Sequence, residues 1–364
     1  MHPSSAATLE PEVKGKPVTP YAPYKVSIDQ YRQYRRDGFV VIPGLISQED
    51  IQELIDHTED LMEGRLPAQS SNVPESERLP VPGAHLSPLE KAQLVARIHM
   101  LHRKIPLHER YLLHPRVLDV LETLIGPDVL ALQTMLFLKP PGSLGQGWHQ
   151  DTYYIPTHPD TLAGAWIAID RCDEYNGAMW MAAGSQVEPV YPPSAEGAYG
   201  DRHLPGVPTV DHVSDNDETL NGLSPIAHRY PQLLVPANPG DVVFFNGHVL
   251  HRSKTNVTTD RFRRSFVGHY CNARSFTQWG AGWEPNRADS SPKYDPVSMM
   301  SNASHILARG DTHLPHALPL FGTPCAATED PAKRRNTHRF IHAAMGNVAT
   351  NDMEKKPAVP DEKH

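Results

Sequence analysis

Cysteine is scarce. Cys172, Cys271 and Cys325 are the only three in 364 residues; they lie far apart and form no Cys-x-x-Cys pair, which excludes a disulfide framework and a zinc ribbon. No apolar run reaches membrane-spanning length, and the N-terminus lacks the charged-then-apolar pattern of a signal peptide. A reducing cytoplasm is the expected compartment. Basic charge is not in excess either. A net charge of -8 gives no electrostatic case for nucleic acid or for an anionic membrane, so the expected partner is a small-molecule substrate. The local exception, Lys333-Arg334-Arg335 with Arg339, reads as a solvated helix face. There is no Gly-x-Ser-x-Gly elbow to support nucleophilic hydrolysis, and no internal repeat.

What the chain does have is 36 Pro, 24 Gly and 21 His. That much Pro and Gly favours turns and short strands over a helical bundle. Residues 1–26 read as a flexible arm. Ser27-Ile28-Asp29-Gln30 is a capping box for a helix through about Arg36, broken by Asp37-Gly38. Phe39-Val40-Val41-Ile42 is a compact strand closed by Pro43-Gly44, and Ser47 caps a second helix with Ile51, Leu54, Ile55, Leu61 and Met62 at helical spacing. Ser87-Pro88-Leu89-Glu90 opens another helix, and Leu118, Leu121, Leu124 and Ile125 form a further apolar stripe.

From Val129 the period shortens. Residues 129–138 form a strand with Gln133 and Lys139 in one alternation phase. Residues 164–170 form another, and Asn176-Gly177 turns into Ala178-Met179-Trp180-Met181. Residues 187–234 lack periodicity and are expected to be a lid or insertion. Strands around 242–250 and 263–271 are joined by the polar turn from Lys254 to Asp260. Helices first and many short strands after them predict a mainly β jelly roll with helical support. The expected organisation is an arm (1–26), one domain (27–345) and a disordered tail (346–364). Within the domain, helical support covers 27–127, the jelly-roll core 128–275 and an irregular extension 276–345, with a final helix near 329–345. Pocket closure and self-association as a homo-oligomer are both open to that extension.

The chemistry gathers at Gly147-Trp148-His149-Gln150-Asp151. On an extended segment, His149 and Asp151 project from one face and Gln150 from the other. Pro239-Gly240-Asp241 leads through Val242-Val243-Phe244-Phe245 to Gly247-His248-Val249-Leu250-His251, where His251 offers a third ligand. With so many histidines one His-x-Asp pair is expected by chance; the distal His and the strand context give it meaning. Two His and one carboxylate on one face of an octahedral ion suit non-haem Fe(II) oxygenases. Downstream, a strand returning from the turn should put Arg263 or Arg264 beside the metal strand. Arg263 shares a face with Ser265, a suitable pair for a dicarboxylate, whereas Arg264 shares the other with Phe266 and Tyr270. Trp148, Tyr153, Tyr154 and Trp180 could line an aromatic mouth.

In order, Gly38-Phe39-Val40-Val41-Ile42-Pro43-Gly44, His149-Gln150-Asp151, Asn176-Gly177-Ala178-Met179-Trp180, Gly184-Ser185, Gly240-Asp241-Val242-Val243-Phe244-Phe245 with His251, and Arg263-Arg264…His269-Tyr270 resemble the phytanoyl-CoA dioxygenase family from about residue 27 to 275. The resemblance implies a double-stranded β-helix, cupin-like in outline, holding Fe(II) and 2-oxoglutarate. It implies His149, Asp151 and His251 as iron ligands and Arg263 as the clamp on the distal carboxylate of 2-oxoglutarate. Met135, Trp166 and Ser253 would line the cosubstrate pocket, with Arg97 near a family basic residue. It further implies consumption of O2, release of succinate and CO2, and hydroxylation of an unactivated C–H bond on a small organic, acyl or natural-product substrate. Relatives that halogenate usually carry a small residue where Asp151 stands. Two other readings are a cupin-type metalloenzyme that does not use 2-oxoglutarate, and a binding member of the family without catalysis.

Overall fold

A computed structural model describes residues 21–65, 85–94, 97–191, 222–277, 305–314 and 316–326. Helices begin where the sequence writes their caps. Ser27 Oγ accepts from Gln30 N while Gln30 Oε1 accepts from Ser27 N, so the capping box opens α1 (Ile28–Asp37). Gly38 ends it at φ 83°, and a Cβ there would lie 2.6 Å from Gln186 Oε1, so only glycine fits this close crossing. β1 (Phe39–Ile42) and α2 (Gln48–Met62, capped by Ser47) follow. Then come α3 (Pro88–Leu94), β2 (Arg97–His99), α4 (Pro106–Leu112) and α5 (Pro115–Ile125).

The rest is chiefly strand: β3 (Val129–Phe137), β4 (Gln146–His149), a single helical turn α6 (Asp151–Tyr154), β5 (Ala163–Ala168), β6 (Met179–Ala182), a turn α7 (Ser224–Ala227), β7 (Gln232–Val235), β8 (Val242–Asn246), β9 (His251–Ser253), β10 (Ser265–Asn272) and β11 (Ile306–Arg309). They make two antiparallel sheets. The larger runs β1-β8-β5-β10-β3-β11, with β2 also on β3; the smaller runs β4-β9-β6-β7. This is the double-stranded β-helix with helical support.

Alternation divides the larger sheet between two cores. Val242 and Phe244, with Phe266 and Leu136, join Leu54, Leu118 and Leu121 in the cluster under the helices. Val243, Phe245, Trp166 and Val267 face the other way, toward Met179 and Met181 of the smaller sheet. Buried on both faces, β8 therefore reads as an unbroken apolar run, and each such side chain contributes roughly 1.5–3 kcal/mol. Polar staples fix the turns between strands. Asp241 accepts from Gly44 N and from Asn238 N, both at 2.8 Å, joining the Pro43-Gly44 and Gly240-Asp241 segments.

Several expectations need correction. The segment 187–234 is not all insertion: α7 and β7 lie in it, and β7 pairs with β6. Residues 192–221 lie outside the described residues. The extension past 276 contributes β11, which pairs with β3. Its four residues, Ile306–Arg309, are too short a run to show a period. The two strands expected over 242–250 and 263–271 are three, because the chain changes sheets between β8 and β9. β2 was not foreseen. The helix expected at 329–345, most of the arm and the tail lie outside the described residues.

Candidate active site

His149 and His251 are cross-strand partners in the β4–β9 register, which puts their rings 4.0 Å apart between centroids. Each imidazole is oriented by its own strand. His149 Nδ1–H donates to Gly147 O at 2.9 Å, and His251 Nδ1–H to Val249 O at 3.0 Å. Both Nε2 lone pairs are thereby left facing one point. Asp151 completes the group: its Oδ1 lies 3.6 Å from His149 Nε2 and 3.7 Å from His251 Nε2, and the three ligand atoms fall within 4.8 Å of one another.

The sequence expectation of a continuous strand through this motif is corrected. Asp151 opens α6 instead, after Gln150 at φ -120° and ψ 128°. Thr152 N donates to Gly247 O at 3.0 Å, and Gln150 Nε2 donates to His248 O at 2.9 Å. Those bonds turn the chain just past His149, and the turn swings the carboxylate onto the histidine side.

Electrostatics suit a cation here. Burial first, then His251, pushes His149 down to about 3, so its ring is neutral and its lone pair available near neutral pH. Burial alone would raise the Asp151 carboxyl, but His251, His269 and His149 outweigh it and hold the group well below the usual carboxylate range. Two imidazoles and one carboxylate form the donor set that suits non-haem Fe(II).

These three groups line a cavity of about 550 Å³, within the usual size for a small-molecule site. Arg263 also lines it. It stands just before β10 and not within the strand. β10 pairs with β3 and β5, so Arg263 sits on the larger sheet, whereas His149 and His251 lie on β4 and β9 of the smaller one. The expected adjacency in one sheet is thus corrected to separate sheets.

Its backbone is held at several points. Arg263 N donates to Lys139 O at 3.1 Å; Asn176 Nδ2 donates to Phe262 O at 3.1 Å; Asn256 Nδ2 donates to Arg261 O at 2.6 Å. The guanidinium lies between the rings of Trp166 and Phe137, 5.7 and 6.0 Å away. Its Nη1 donates to Ser265 Oγ at 3.1 Å; among the described residues its buried Nε has no partner and no carboxylate pairs with it. Burial pushes it down to about 10. Arg264 points the other way, into an ion pair with Asp170.

Met135, Trp166, Ser253 and Arg97 all line the cavity. Arg97 does so from β2, opposite Phe137. Trp148 and Trp180 do not form a mouth. Trp148 is 1% exposed, and both rings pack with Leu250 and Ala182, with Arg252 over them. Of the expected aromatics, Tyr154 alone reaches the cavity among its described lining residues. Polar lining residues to which the sequence assigns no role include Lys139, Gln133 and His269. Lys139 Nζ donates to Ser253 Oγ at 3.3 Å. For Gln133 and Lys139 the signal is one alternation phase, in which Gln133, Met135 and Phe137 of β3 and Lys139 just past its end all line the cavity. Phe245 closes the floor beside His251, ring centroids 4.9 Å apart. It fits because its strand partner is Gly164, where a Cβ would lie 2.3 Å from the Phe245 ring.

The family model for phytanoyl-CoA dioxygenase (PhyH) matches residues 34–265. The chain is similar to the peroxisomal phytanoyl-CoA dioxygenase of Rattus norvegicus, 28% identical over 254 residues, 67% of this chain and 68% of that one. Its fold is similar to that of the non-heme monooxygenase ThoJ, with TM-score 0.52, 21% identity, and coverage of 88% of this chain and 100% of that one. It is also similar to the epimerase SnoN, solved in complex with Fe3+, alpha ketoglutarate and nogalamycin RO; the TM-score is 0.50 at 19% identity, covering 81% and 95%.

Proposed function

Because the chain belongs to the phytanoyl-CoA dioxygenase family, we propose that it is an Fe(II)- and 2-oxoglutarate-dependent dioxygenase that hydroxylates an unactivated C–H bond of a small organic, acyl or natural-product substrate. The observation that carries this reading is the pairing of two features in one cavity. One is the three-atom group of His149, Asp151 and His251; the other is the buried guanidinium of Arg263, lining the same cavity with no carboxylate of its own among the described residues. SnoN, of similar fold, was solved with Fe3+ and alpha ketoglutarate, which agrees with that pairing.

The donor set fits a ferrous ion, and His149, Asp151 and His251 would hold it. Ferrous iron bound there supplies the O2 activation by which R–H, 2-oxoglutarate and O2 become R–OH, succinate and CO2. This chain's own residues do the rest. Arg263, helped by the Ser265 hydroxyl, grips the distal carboxylate of 2-oxoglutarate through two parallel N–H donors. Ser253, with Lys139 on its hydroxyl, adds a polar contact from β9 of the smaller sheet, and Trp166 and Met135 fill the space around the carbon chain. Arg97 adds positive charge at the β2 edge. Phe245 and Val267 keep the floor apolar and exclude water. Asp151 occupies the place that halogenating relatives leave small, which favours oxygen transfer.

The three free cysteines, all buried, support a reducing compartment, the cytoplasm in this reading. No helix among the described residues is long and apolar enough to cross a membrane. The test is anaerobic addition of Fe(II) and 2-oxoglutarate. A weak visible charge-transfer band is expected, lost in His149→Ala and weakened in Arg263→Ala, with succinate released once air is admitted. Tight metal binding with neither band nor succinate would instead favour a metalloprotein that does not use 2-oxoglutarate.

A further inference from the structure

Asp151 has two carboxylate oxygens in different surroundings. Oδ1 faces the histidine pair, whereas Oδ2 lies 2.8 Å from His269 Nε2. The other nitrogen of that ring, Nδ1, lies 3.0 Å from Gln133 Nε2. Both residues are buried, Gln133 to 4% exposure and His269 to 3%. They come from neighbouring strands, since His269 and Gln133 are register partners in the β10–β3 pair.

We propose that Gln133 and His269 are positioning residues that hold Asp151 as a one-oxygen ligand, so that three adjoining metal positions stay open for 2-oxoglutarate and O2. The proposal rests on the reading of His149, Asp151 and His251 as ligands. The hydrogen-bond chain has a single polarity. A carboxylate only accepts, so His269 Nε2 must carry the proton. In a neutral ring Nδ1 is then bare and needs a donor, which the Gln133 amide supplies. In this orientation Gln133 Oε1 is buried, with no hydrogen-bond partner among the described residues.

The consequence is a matter of counting. Two imidazoles and one carboxylate oxygen would fill three places around a six-coordinate ion. A carboxylate using both oxygens would occupy a fourth and leave one too few for a two-point keto acid together with O2. His269 prevents this by engaging Oδ2. One stretch of chain, from just before β10 to its middle, therefore serves both cosubstrate and metal, for Arg263 and His269 are six residues apart and both line the cavity.

Cobalt(II), titrated anaerobically into the full-length protein, separates this role from a merely structural one, because its visible d–d absorption responds to coordination number. The wild type is expected to bind one equivalent, and His149→Ala to lose it. His269→Leu should bind about 10–100-fold more weakly, the usual cost of removing the partner that orients a ligand, with an altered d–d spectrum. His269→Gln, whose amide can still donate to Oδ2, should restore most of both. A folded His269→Leu with wild-type affinity and spectrum overturns this inference alone. If His269→Leu does not fold, Gln133→Leu carries the same comparison, with the same two outcomes. Cobalt binding unaffected by His149→Ala overturns the ligand reading and this inference with it.

Discussion

Two adjacent arginines should respond to truncation in opposite ways. Arg264 is a structural cation. Its Nε and Nη2 donate to the Asp170 carboxylate at 2.9 and 2.7 Å, and its Nη1 donates to Thr58 Oγ1 on α2 at 2.9 Å. The paired side chains are only 13% and 18% exposed. Removing one partner of a buried pair costs about 3–5 kcal/mol, and slight exposure brings that to roughly 2–4. Arg264→Ala should therefore lower the melting temperature by roughly 5–10 °C. Arg263 is the reverse case. It is 5% exposed; among the described residues it makes one side-chain hydrogen bond, to Ser265, and has no anionic partner. Arg263→Ala gives up that bond and two ring contacts but also relieves a desolvated charge. The apoprotein should stay within about 1 kcal/mol of wild type. Its affinity for 2-oxoglutarate, however, should fall about 10²–10³-fold, since roughly 3–4 kcal/mol of paired charge is lost. Differential scanning fluorimetry without metal gives the first comparison, and anaerobic titration of the Fe(II) charge-transfer band with 2-oxoglutarate gives the second. If Arg263→Ala melts as low as Arg264→Ala, or keeps its 2-oxoglutarate affinity within about threefold, the division of labour between the two is wrong.

Three further expectations follow from individual contacts. His57, whose Nε2 lies 2.9 Å from His108 Nε2, is pushed by burial from 6.5 to about 4. A histidine depressed in the folded state stabilises above its unfolded pKa and loses that contribution as pH falls from about 6.5 to 4, worth up to about 3 kcal/mol; the gap in denaturation midpoint between wild type and His57→Leu should narrow from pH 7.5 to 4.5, and a constant gap would refute it. Gly164→Ala should drive the Phe245 ring toward His251 and cost about 1–3 kcal/mol. Metal affinity should fall too, and Gly164→Ala/Phe245→Leu should recover it; no recovery would mean the ring is not the cause. Glu109 accepts from Leu320 N at 2.6 Å and Phe321 N at 3.1 Å, so Glu109→Ala should cost about 2–4 kcal/mol and expose the chain near Leu320 to limited proteolysis. An unchanged cleavage pattern would show that other contacts hold that segment.

Much of the site was legible because its parts lie close along the chain or obey one strand's alternation. His149 and Asp151 are two residues apart, and Arg263 and Ser265 share a phase that the structure keeps. The helix caps at Ser27 and Ser47 are written in single residues whose hydrogen bonds are local. Alternation reports the two faces of one strand, but it says nothing about which strand lies beside or across from it. That is why Arg263 was expected next to the metal strand when it belongs to the other sheet. It also explains how His269 went without a role: its partners Gln133 and Asp151 are 136 and 118 residues away, joined only by sheet register and by the packing of one sheet over the other. Trp148 failed for a related reason. Between a glycine and a ligand it looked like pocket wall, yet the pleat that turns His149 inward must turn Trp148 outward, into the cluster with Leu250. The alternation that turns one side chain into the cavity thus fixes its neighbours' exclusion from it.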